Sequence, residues 1–465
     1  MKWWLKTGIV VVLIFWALFS IVDSVLDTQK TVSGVDIFTY WFANVHVLTG
    51  NDPYMAITEE QQLTLPFNHL NGKTTVIDTQ YPSTIAPRPT ALPLMVDLFI
   101  PLSFFTWPVA KVIWLITNLG LMLSVPWLVW PVIWKSELPI SRWSQWTLAL
   151  LFYGLLATRN NLSNGQQSIF VLWAGLVGLL LIQRNQVIGA GILFGIALSK
   201  YTLIFPFVLF LLYKRYFKVL FVAVGLQFIG GLFMALLVQT NPLTLLGSYL
   251  TIFSYSLIVF PSASWSINFA EFLPPPITTL LIVSSTILTG ILLYRRIKQS
   301  AIISILFDSH VLAVLAMWSL TIVYHGYYDV IMVVIPLAIW FIAVEHPSIW
   351  ALRSIGHSAI MLTLLIVSGI LMLPGESFGR FVPLIGSHWG MFTRLGALCV
   401  ILVLQYGTII LLMRLSPDFS HVSDAASSSL TGNNCRMKKN EAFFSINKQE
   451  ERKDASENIP GHTDR

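Results

Sequence analysis

Long apolar runs recur along nearly the whole chain and are separated by short polar breaks. Many of these runs approach the roughly 20 residues that a helix needs to cross the hydrocarbon core of a bilayer. The regular alternation of a membrane β-barrel is absent, and a helix satisfies its own backbone hydrogen bonds in lipid. The pattern therefore predicts an all-α, polytopic membrane protein.

The runs predict about twelve transmembrane helices when each is given a length that can span a bilayer. The first is expected from Thr7 to Val22. It is expected to stay in the protein rather than to be cleaved as a signal peptide, because no small-residue cleavage site follows it. The others are expected near 90–107, 110–132, 144–158, 168–183, 187–213, 218–239, 276–294, 301–324, 326–344, 357–373 and 388–413. Lysine and arginine favour cytoplasmic loops, and on this assignment both termini are cytoplasmic. The run 187–213 contains Lys200 and Pro206, so it is either one kinked helix or two short ones.

Two polar segments interrupt this pattern. The segment 23–88 follows the first span, is too polar to cross a membrane, and forms the largest outer loop. The tail 416–465 is rich in Ser, Asn, Lys and Glu, a composition typical of disordered chains. The sequence thus predicts one membrane domain, 1–415, followed by a disordered cytoplasmic tail.

Composition excludes several functions. The chain is 55% hydrophobic and only 11% charged, with a mean hydropathy of +0.72, whereas soluble domains contain roughly 25% charged residues. The net charge of +6 does not indicate nucleic-acid binding, because the basic residues lie at the ends of apolar runs. Cys399 and Cys435 imply no disulfide framework, and no His or Cys cluster has metal-binding spacing, so neither a metal nor another cofactor is expected.

The outer loop contains a candidate catalytic carboxylate. The stretch DIFTYWFANVHVLTG is typical of a short amphipathic helix that lies along the membrane surface and ends at Gly50. Asp36 stands at the N-terminal edge of this helix. It is either the helix N-cap or a catalytic group.

Four further ionisable residues lie in or beside apolar sequence. His325, in VYHGYYDV with Asp329 four residues on, either binds an anionic headgroup or belongs to an interfacial aromatic belt. Lys200 either extends to an interface or neutralises a phosphate, and Arg88 is placed for the same task where the outer loop re-enters the membrane. Asp97 is a buried charge for which the sequence names no partner.

The order of these motifs resembles a known family. A first span is followed by VDIFTYW, LTGNDPY, YPSTIAPRPTALPL, NLSNGQQSIFVLWAGLVGLLL, GAGILFGIALSKYTLIFP and VYHGYYDVIMVVIPL. Together they resemble the integral-membrane glycosyltransferases of family 87, which belong to the GT-C class and include polyprenol-phosphate-mannose-dependent mannosyltransferases. The resemblance covers roughly Met1 to Leu415.

The resemblance implies roles for individual residues. Asp36, with Tyr40 four residues later, matches the family's pattern for the general base in the first outer loop. His325 matches the family's late histidine, although Gly326 separates it from the tyrosine that commonly follows. The chain has Tyr-Pro-Ser where the family has Tyr-Pro-Pro, and Lys200-Tyr where it has Lys-Pro. These departures leave the donor sugar and the phosphate contacts open.

The expected activity is transfer of a hexose, expected to be mannose, from a polyprenyl-phosphate sugar to a lipid or glycan acceptor, with inversion and without a metal. One carboxylate suffices, because the phosphate leaves as a stable anion and needs no general acid. Tyr40 is expected to bind substrate, and His325, Lys200 and Arg88 to meet the charge on the phosphate. The active site is expected on the outer side of a bacterial plasma membrane, where membrane lipids surround it. The alternative is a polytopic transporter or lipid flippase, although no inverted repeat is visible.

Overall fold

The computed structural model describes residues 3–30, 34–54, 64–65, 75–76, 89–134, 140–259, 305–322 and 327–346, with parts of 276–294 and 400–411. Its α-helices are, in chain order, α1 (Trp3–Gln29), α2 (Val35–Val47), α3 (Pro93–Ser103), α4 (Trp107–Ile133), α5 (Arg142–Gly154), α6 (Leu156–Asn164), α7 (Ser168–Gln183), α8 (Val187–Leu198), α9 (Tyr201–Tyr213), α10 (Phe217–Leu237), α11 (Pro242–Val259), α12 (Ile305–Ile322) and α13 (Val334–Glu345). A 3-10 helix, Tyr327–Val333, leads into α13. One short antiparallel ladder joins Thr64–Leu65 to Thr75–Val76.

The predicted helical membrane class agrees with these elements. Among the described residues, four helical segments are long and apolar enough to cross a membrane: Thr7–Gln29, Trp107–Ile133, Phe217–Leu237 and Tyr328–Glu345. A fifth is added if the bent pair α6 and α7 forms one span. These spans indicate an integral membrane protein. The count of about twelve stays a prediction, because the runs 357–373 and most of 388–413 lie outside the described residues.

The long run 187–213 forms two short helices, α8 and α9, rather than one kinked helix. A methyl group on Gly178 of α7 would stand 2.8 Å from the Phe194 ring of α8, whereas Gly175 faces Ile204 and Phe207 of α9. The rings of Phe194 and Phe207 lie 6.4 Å apart. The chain therefore turns back between α8 and α9, and Lys200 lies at this turn.

A second break separates α6 from α7, whose axes are bent by 112°. The sequence predicts a span over 144–158, but α5 ends at Gly154 and a separate helix follows. Gly165 ends that helix in the left-handed conformation, with φ of 68°, and the Gln166 N–H donates to the Asn161 carbonyl at 2.9 Å. Trp114 Nε1 donates to the Gly165 carbonyl at 2.8 Å. The freed backbone groups thus find partners inside the protein, as apolar surroundings require.

Helix α2 is packed inside the protein, so the prediction of an amphipathic helix with an exposed polar face is wrong, whereas its position along the membrane surface stays a prediction. From Ile37 to Val47 every side chain except that of Thr39 is buried. Asn44 Nδ2 donates to the Val96 carbonyl of α3 at 2.8 Å. The pattern misleads because polar residues of this helix, such as Asn44, pair inside the protein rather than with water.

The first turn of α2 is fixed against the break between α6 and α7. Gly34 precedes the helix with φ of 80°, and no side chain caps it, so Asp36 is not the N-cap. The Gly34 N–H donates to the Ser163 carbonyl at 3.0 Å. A Cβ atom on Gly165 would lie 2.5 Å from Ile37 Cγ2. The absence of a side chain at Gly165 therefore allows the close approach of α2.

Replacing Gly165 by alanine tests this contact. Gly165→Ala is expected to lower the free energy of unfolding through two effects. The left-handed backbone costs a residue with a Cβ about 1–2 kcal/mol, and the clash with Ile37 adds a similar amount. Thermal unfolding of the purified protein in detergent, followed by tryptophan fluorescence, measures the sum.

Gly50→Ala is the matched control, because Gly50 has φ of 82° and open space around its Cβ position. The Gly50→Ala variant should lose only the free energy that the left-handed backbone costs. The double variant Gly165→Ala with Ile37→Ala removes the atoms that clash, so its coupling energy isolates the contact. Equal melting temperatures for the two single glycine variants would contradict the close approach of α2.

Candidate active site

Lys200 stands at the turn between α8 and α9 and contacts three acceptors. Its Nζ lies 3.0 Å from Asp329 Oδ1, donates to Gln166 Oε1 at 3.1 Å, and also donates to Ser168 Oγ. The ammonium lies 4.3 Å from the centroid of the Tyr328 ring. Since an ammonium has three N–H donors, these contacts can use all of them. Lys200 thereby joins the α8–α9 turn, the α6–α7 break and the 3-10 helix.

Asp329 is the counter-charge of this lysine. Its side chain is only 1% exposed, and Ser168 Oγ donates to its Oδ1 at 2.7 Å. Ser168 thus accepts from Lys200 and donates to Asp329. Asn161 Nδ2 donates to the neighbouring Tyr328 carbonyl at 2.8 Å. These contacts hold the beginning of the 3-10 helix against the α6–α7 break.

Gln166 lies between the lysine and Asp36. Its side chain is 4% exposed. Its Oε1 accepts from Lys200 at 3.1 Å, and its amide lowers the pKa of the Asp36 carboxyl. The break between α6 and α7 therefore places a polar side chain near the first turn of α2.

The environment of Asp36 tunes its acidity. Burial raises the pKa of its carboxyl to about 6, against the lowering effects of Lys200 and of the Gln166 hydrogen bond, and the Asp329 charge raises it further. The side chain is half-buried rather than enclosed. A carboxylate with a pKa near physiological pH, partly open to its surroundings, is suited to accept a proton from a hydroxyl group.

Tyr40 lies one turn further along α2. Its ring packs on that of Phe99, with centroids 5.1 Å apart. Burial, the nearby Asp36 charge and the neighbouring Tyr201 and Tyr249 raise the pKa of the Tyr40 hydroxyl well above its usual value. Tyr40 therefore stays protonated and keeps a hydrogen-bond donor near the carboxylate.

The structure brings three of the predicted site residues, Asp36, Lys200 and Tyr40, into one neighbourhood. Arg88 and His325 lie outside the described residues, and their predicted roles stay predictions. Asp97 lies on α3, and both of its carboxylate oxygens are buried without a hydrogen-bond partner in the described part of the chain.

Sequence reasoning assigned no role to Gln166, Ser168 or Asp329. A signal was present, since each is a polar residue beside a long apolar run, and each stands at or next to a helix break. The sequence pattern does not predict that the α6–α7 break, the α8–α9 turn and the 3-10 helix meet, because a single sequence carries no signal for contacts between distant segments. Within the described ranges, no group of three or more His, Cys, Asp or Glu side chains is placed to hold a metal ion.

Comparison with known proteins gives one match. The model of Glycosyltransferase family 87 matches residues 93–301. This range contains Gln166, Ser168 and Lys200, whereas Asp36 and Asp329 lie outside it. No curated protein and no solved structure matches the chain.

The match bears on the alternatives left open by the sequence. A transporter or flippase would also contain apolar helices, so these helices do not separate the alternatives. The match to a transferase family supports an enzyme. The buried cluster of polar side chains lies partly within the matched range and provides a carboxylate suited to proton transfer. The protein is accordingly a transferase enzyme, and the match with its apolar helices indicates a membrane glycosyltransferase similar to family 87.

Proposed function

We propose that the protein transfers a hexose, mannose in the first instance, from a polyprenyl-phosphate sugar to a hydroxyl group of a lipid or glycan acceptor. The sugar inverts at its anomeric carbon, and Asp36 is the general base. The acceptor oxygen forms a bond to the anomeric carbon as the bond to the phosphate oxygen breaks. The hydroxyl proton passes to Asp36, and the polyprenyl phosphate leaves as an anion.

The observation that carries this proposal is the setting of Asp36. It is a half-buried carboxylate with a pKa raised to about 6 by burial. The Lys200 ammonium and the Gln166 amide favour its charged form, and it lies near the protonated hydroxyl of Tyr40. A general base works best when its pKa lies near the working pH, because it is then ionised and still basic. Tyr40 is available to donate to a sugar or acceptor hydroxyl.

The contacts of Lys200 favour a positioning role over the expected phosphate contact. Its N–H donors already face Asp329, Gln166 and Ser168. A phosphate drawn to this ammonium would also approach two carboxylates, Asp36 and Asp329, and like charges repel. Lys200 is therefore proposed to hold the site together.

The phosphate is proposed to bind Arg88 and His325. An arginine offers two parallel donors to a phosphate, and a protonated histidine adds positive charge. The role of His325 rests on the sequence resemblance, and that of Arg88 on its position where the outer loop re-enters the membrane. In the transfer assay the donor KM should rise for Arg88→Gln and for His325→Ala, and an unchanged donor KM in both would exclude these contacts.

The role of Asp36 is tested by Asp36→Asn. The purified protein is reconstituted in lipid with polyprenyl-phosphate mannose and a lipid acceptor pool. Loss of the base is expected to lower kcat by about 10²–10⁴-fold. Asparagine is close in size to aspartate, so the melting temperature should change little.

Asp52→Asn is the matched control. Asp52 lies in the turn after α2, where its Oδ1 accepts from the Tyr54 N–H at 2.9 Å, and the amide oxygen of asparagine can replace that acceptor. Transfer by this variant should equal that of the original protein. Transfer that survives unchanged in Asp36→Asn would refute the assignment of the base.

The pH dependence of transfer gives an independent prediction. Because only ionised Asp36 accepts a proton, kcat/KM should fall tenfold per pH unit below a midpoint near the pKa of about 6. Had the carboxyl kept its ordinary pKa near 3.9, the rate would stay flat down to about pH 5. Measuring kcat/KM from about pH 4.5 to 8 separates the two cases.

A further inference from the structure

Arg159 on α6 forms ion pairs with two carboxylates of α1. Its Nη2 lies 3.2 Å from Asp27 Oδ2 and also contacts Asp23 Oδ2. The guanidinium is largely buried, since the Arg159 side chain is only 12% exposed. Ser24 of α1 adds a long hydrogen bond, with its Oγ 3.5 Å from the Arg159 carbonyl oxygen. Arg159 therefore fastens α6 to α1 through both its side chain and its backbone.

The same short helix carries the contacts that hold the first turn of α2. Ser163 lies in the last turn of α6, and its carbonyl accepts from the Gly34 N–H at 3.0 Å. Gly165 follows this turn, and Ile37 packs so closely on it that a Cβ atom there would lie 2.5 Å from Ile37 Cγ2. One contact is made before Asp36 in the chain and the other after it. The end of α6 therefore determines where this carboxylate begins.

The start of α2 is also enclosed by α4. A Cβ atom on Gly34 would lie 3.1 Å from Lys111 Cδ and 3.4 Å from the Trp107 ring. Trp114 of the same helix donates from its Nε1 to the Gly165 carbonyl at 2.8 Å. The first turn of α2 thus fits closely between α4 and the end of α6. A displacement of α6 would move that turn and the carboxylate it carries.

We infer that Arg159 is a positioning residue: by pairing with Asp23 and Asp27 it holds α6 in the place from which the Asp36 carboxylate reaches the acceptor hydroxyl. This inference rests on the proposed role of Asp36 as the general base. It also gives α1 a part in the reaction, because the last turns of this apolar span supply the two carboxylates that hold α6.

Proton transfer depends steeply on such placement. A general base must lie within roughly 2.6–3.2 Å of the hydroxyl oxygen whose proton it takes, and a misplacement of about 1 Å can lower the rate about a hundredfold. Substrate binding is less sensitive, because many contacts share it. Loss of the Arg159 ion pairs should therefore lower kcat far more than it raises the KM of donor or acceptor.

The test compares Arg159→Gln with Lys214→Gln in the reconstituted full-length protein. Lys214→Gln is the matched control, because Lys214 also forms a partly buried ion pair, with Asp308 at 2.7 Å. It follows the far end of α9, whose 13 residues place it about 20 Å from the turn at Lys200. Each variant loses one cation from an ion pair and keeps an amide that can donate to a carboxylate.

Arg159→Gln should lower kcat at least tenfold and leave each KM within about twofold. Arg159→Lys keeps the charge and should restore most of the rate. Lys214→Gln should leave both parameters unchanged. Asp27 also pairs with Lys30, so it keeps a cation in the glutamine variant. If Arg159→Gln nevertheless does not fold, Asp23→Asn removes one of the two carboxylates with little change in shape and should give a smaller fall in kcat.

Hydrogen exchange measured by mass spectrometry gives a readout that does not depend on activity. The peptide that contains Gly34 and Asp36 should exchange faster in Arg159→Gln, because the Gly34 N–H loses the fixed position of its Ser163 acceptor. The same peptide should exchange at its original rate in Lys214→Gln. Unchanged exchange in Arg159→Gln and Asp23→Asn would overturn the positioning role.

The Asp36→Asn background separates this inference from the proposed function. If Arg159 acts through Asp36, Arg159→Gln should not lower the residual transfer of Asp36→Asn any further. The same fold loss in both backgrounds would overturn the inference. Full transfer by Arg159→Gln beside a large loss in Asp36→Asn would also overturn it and would leave the base intact. Unchanged transfer in Asp36→Asn would refute the base, and the inference with it.

Discussion

A buried ion pair organises the centre of this protein. Lys200 and Asp329 are far apart in sequence, and their side chains are 14% and 1% exposed. Removing one partner of such a pair typically costs about 3–5 kcal/mol, because an uncompensated charge stays behind. The pair thereby constrains the turn between α8 and α9 to meet the 3-10 helix before α13. Ser168 and Gln166, which contact this pair, bring the break between α6 and α7 to the same place. We call the meeting point of these three segments the junction.

The junction explains why several helices are interrupted at the same place. Irregular backbone in apolar surroundings is tolerated where other parts of the protein satisfy its polar groups. Here Trp114 and Asn118 of α4 donate to carbonyls of the α6–α7 break, and Ser163 accepts from Gly34. Each break exposes polar groups that another element satisfies. A set of short, bent helices thus replaces long straight spans and gives polar side chains a common position.

The sequence predicts the class of the fold and part of the site. Apolar length alone identifies α4, α7 and α10 to within a few residues, because a bilayer fixes the length of a helix that crosses it. For the run 187–213 it leaves one kinked helix and two short helices as alternatives, because no glycine or proline marks the turn at Lys200. The internal position of α2 was also missed, because its polar residues, such as Asn44, pair with backbone inside the protein. Asp36 and Lys200 were candidates from the sequence pattern and Tyr40 was added by the resemblance, whereas Gln166, Ser168 and Asp329 became visible only when the breaks were seen to converge.

The chemistry follows from how this junction treats Asp36. Burial makes the carboxyl harder to ionise, while the Lys200 ammonium and the Gln166 amide favour its charged form. The balance gives a group that is ionised near neutral pH and still basic. The most direct measurement is an experimental structure with an unreactive polyprenyl-phosphate sugar analogue and an acceptor bound. The account predicts an acceptor hydroxyl within hydrogen-bond reach of Asp36, on the opposite side of the anomeric carbon from the phosphate. A sugar bound elsewhere, with no acceptor oxygen near Asp36, would contradict it.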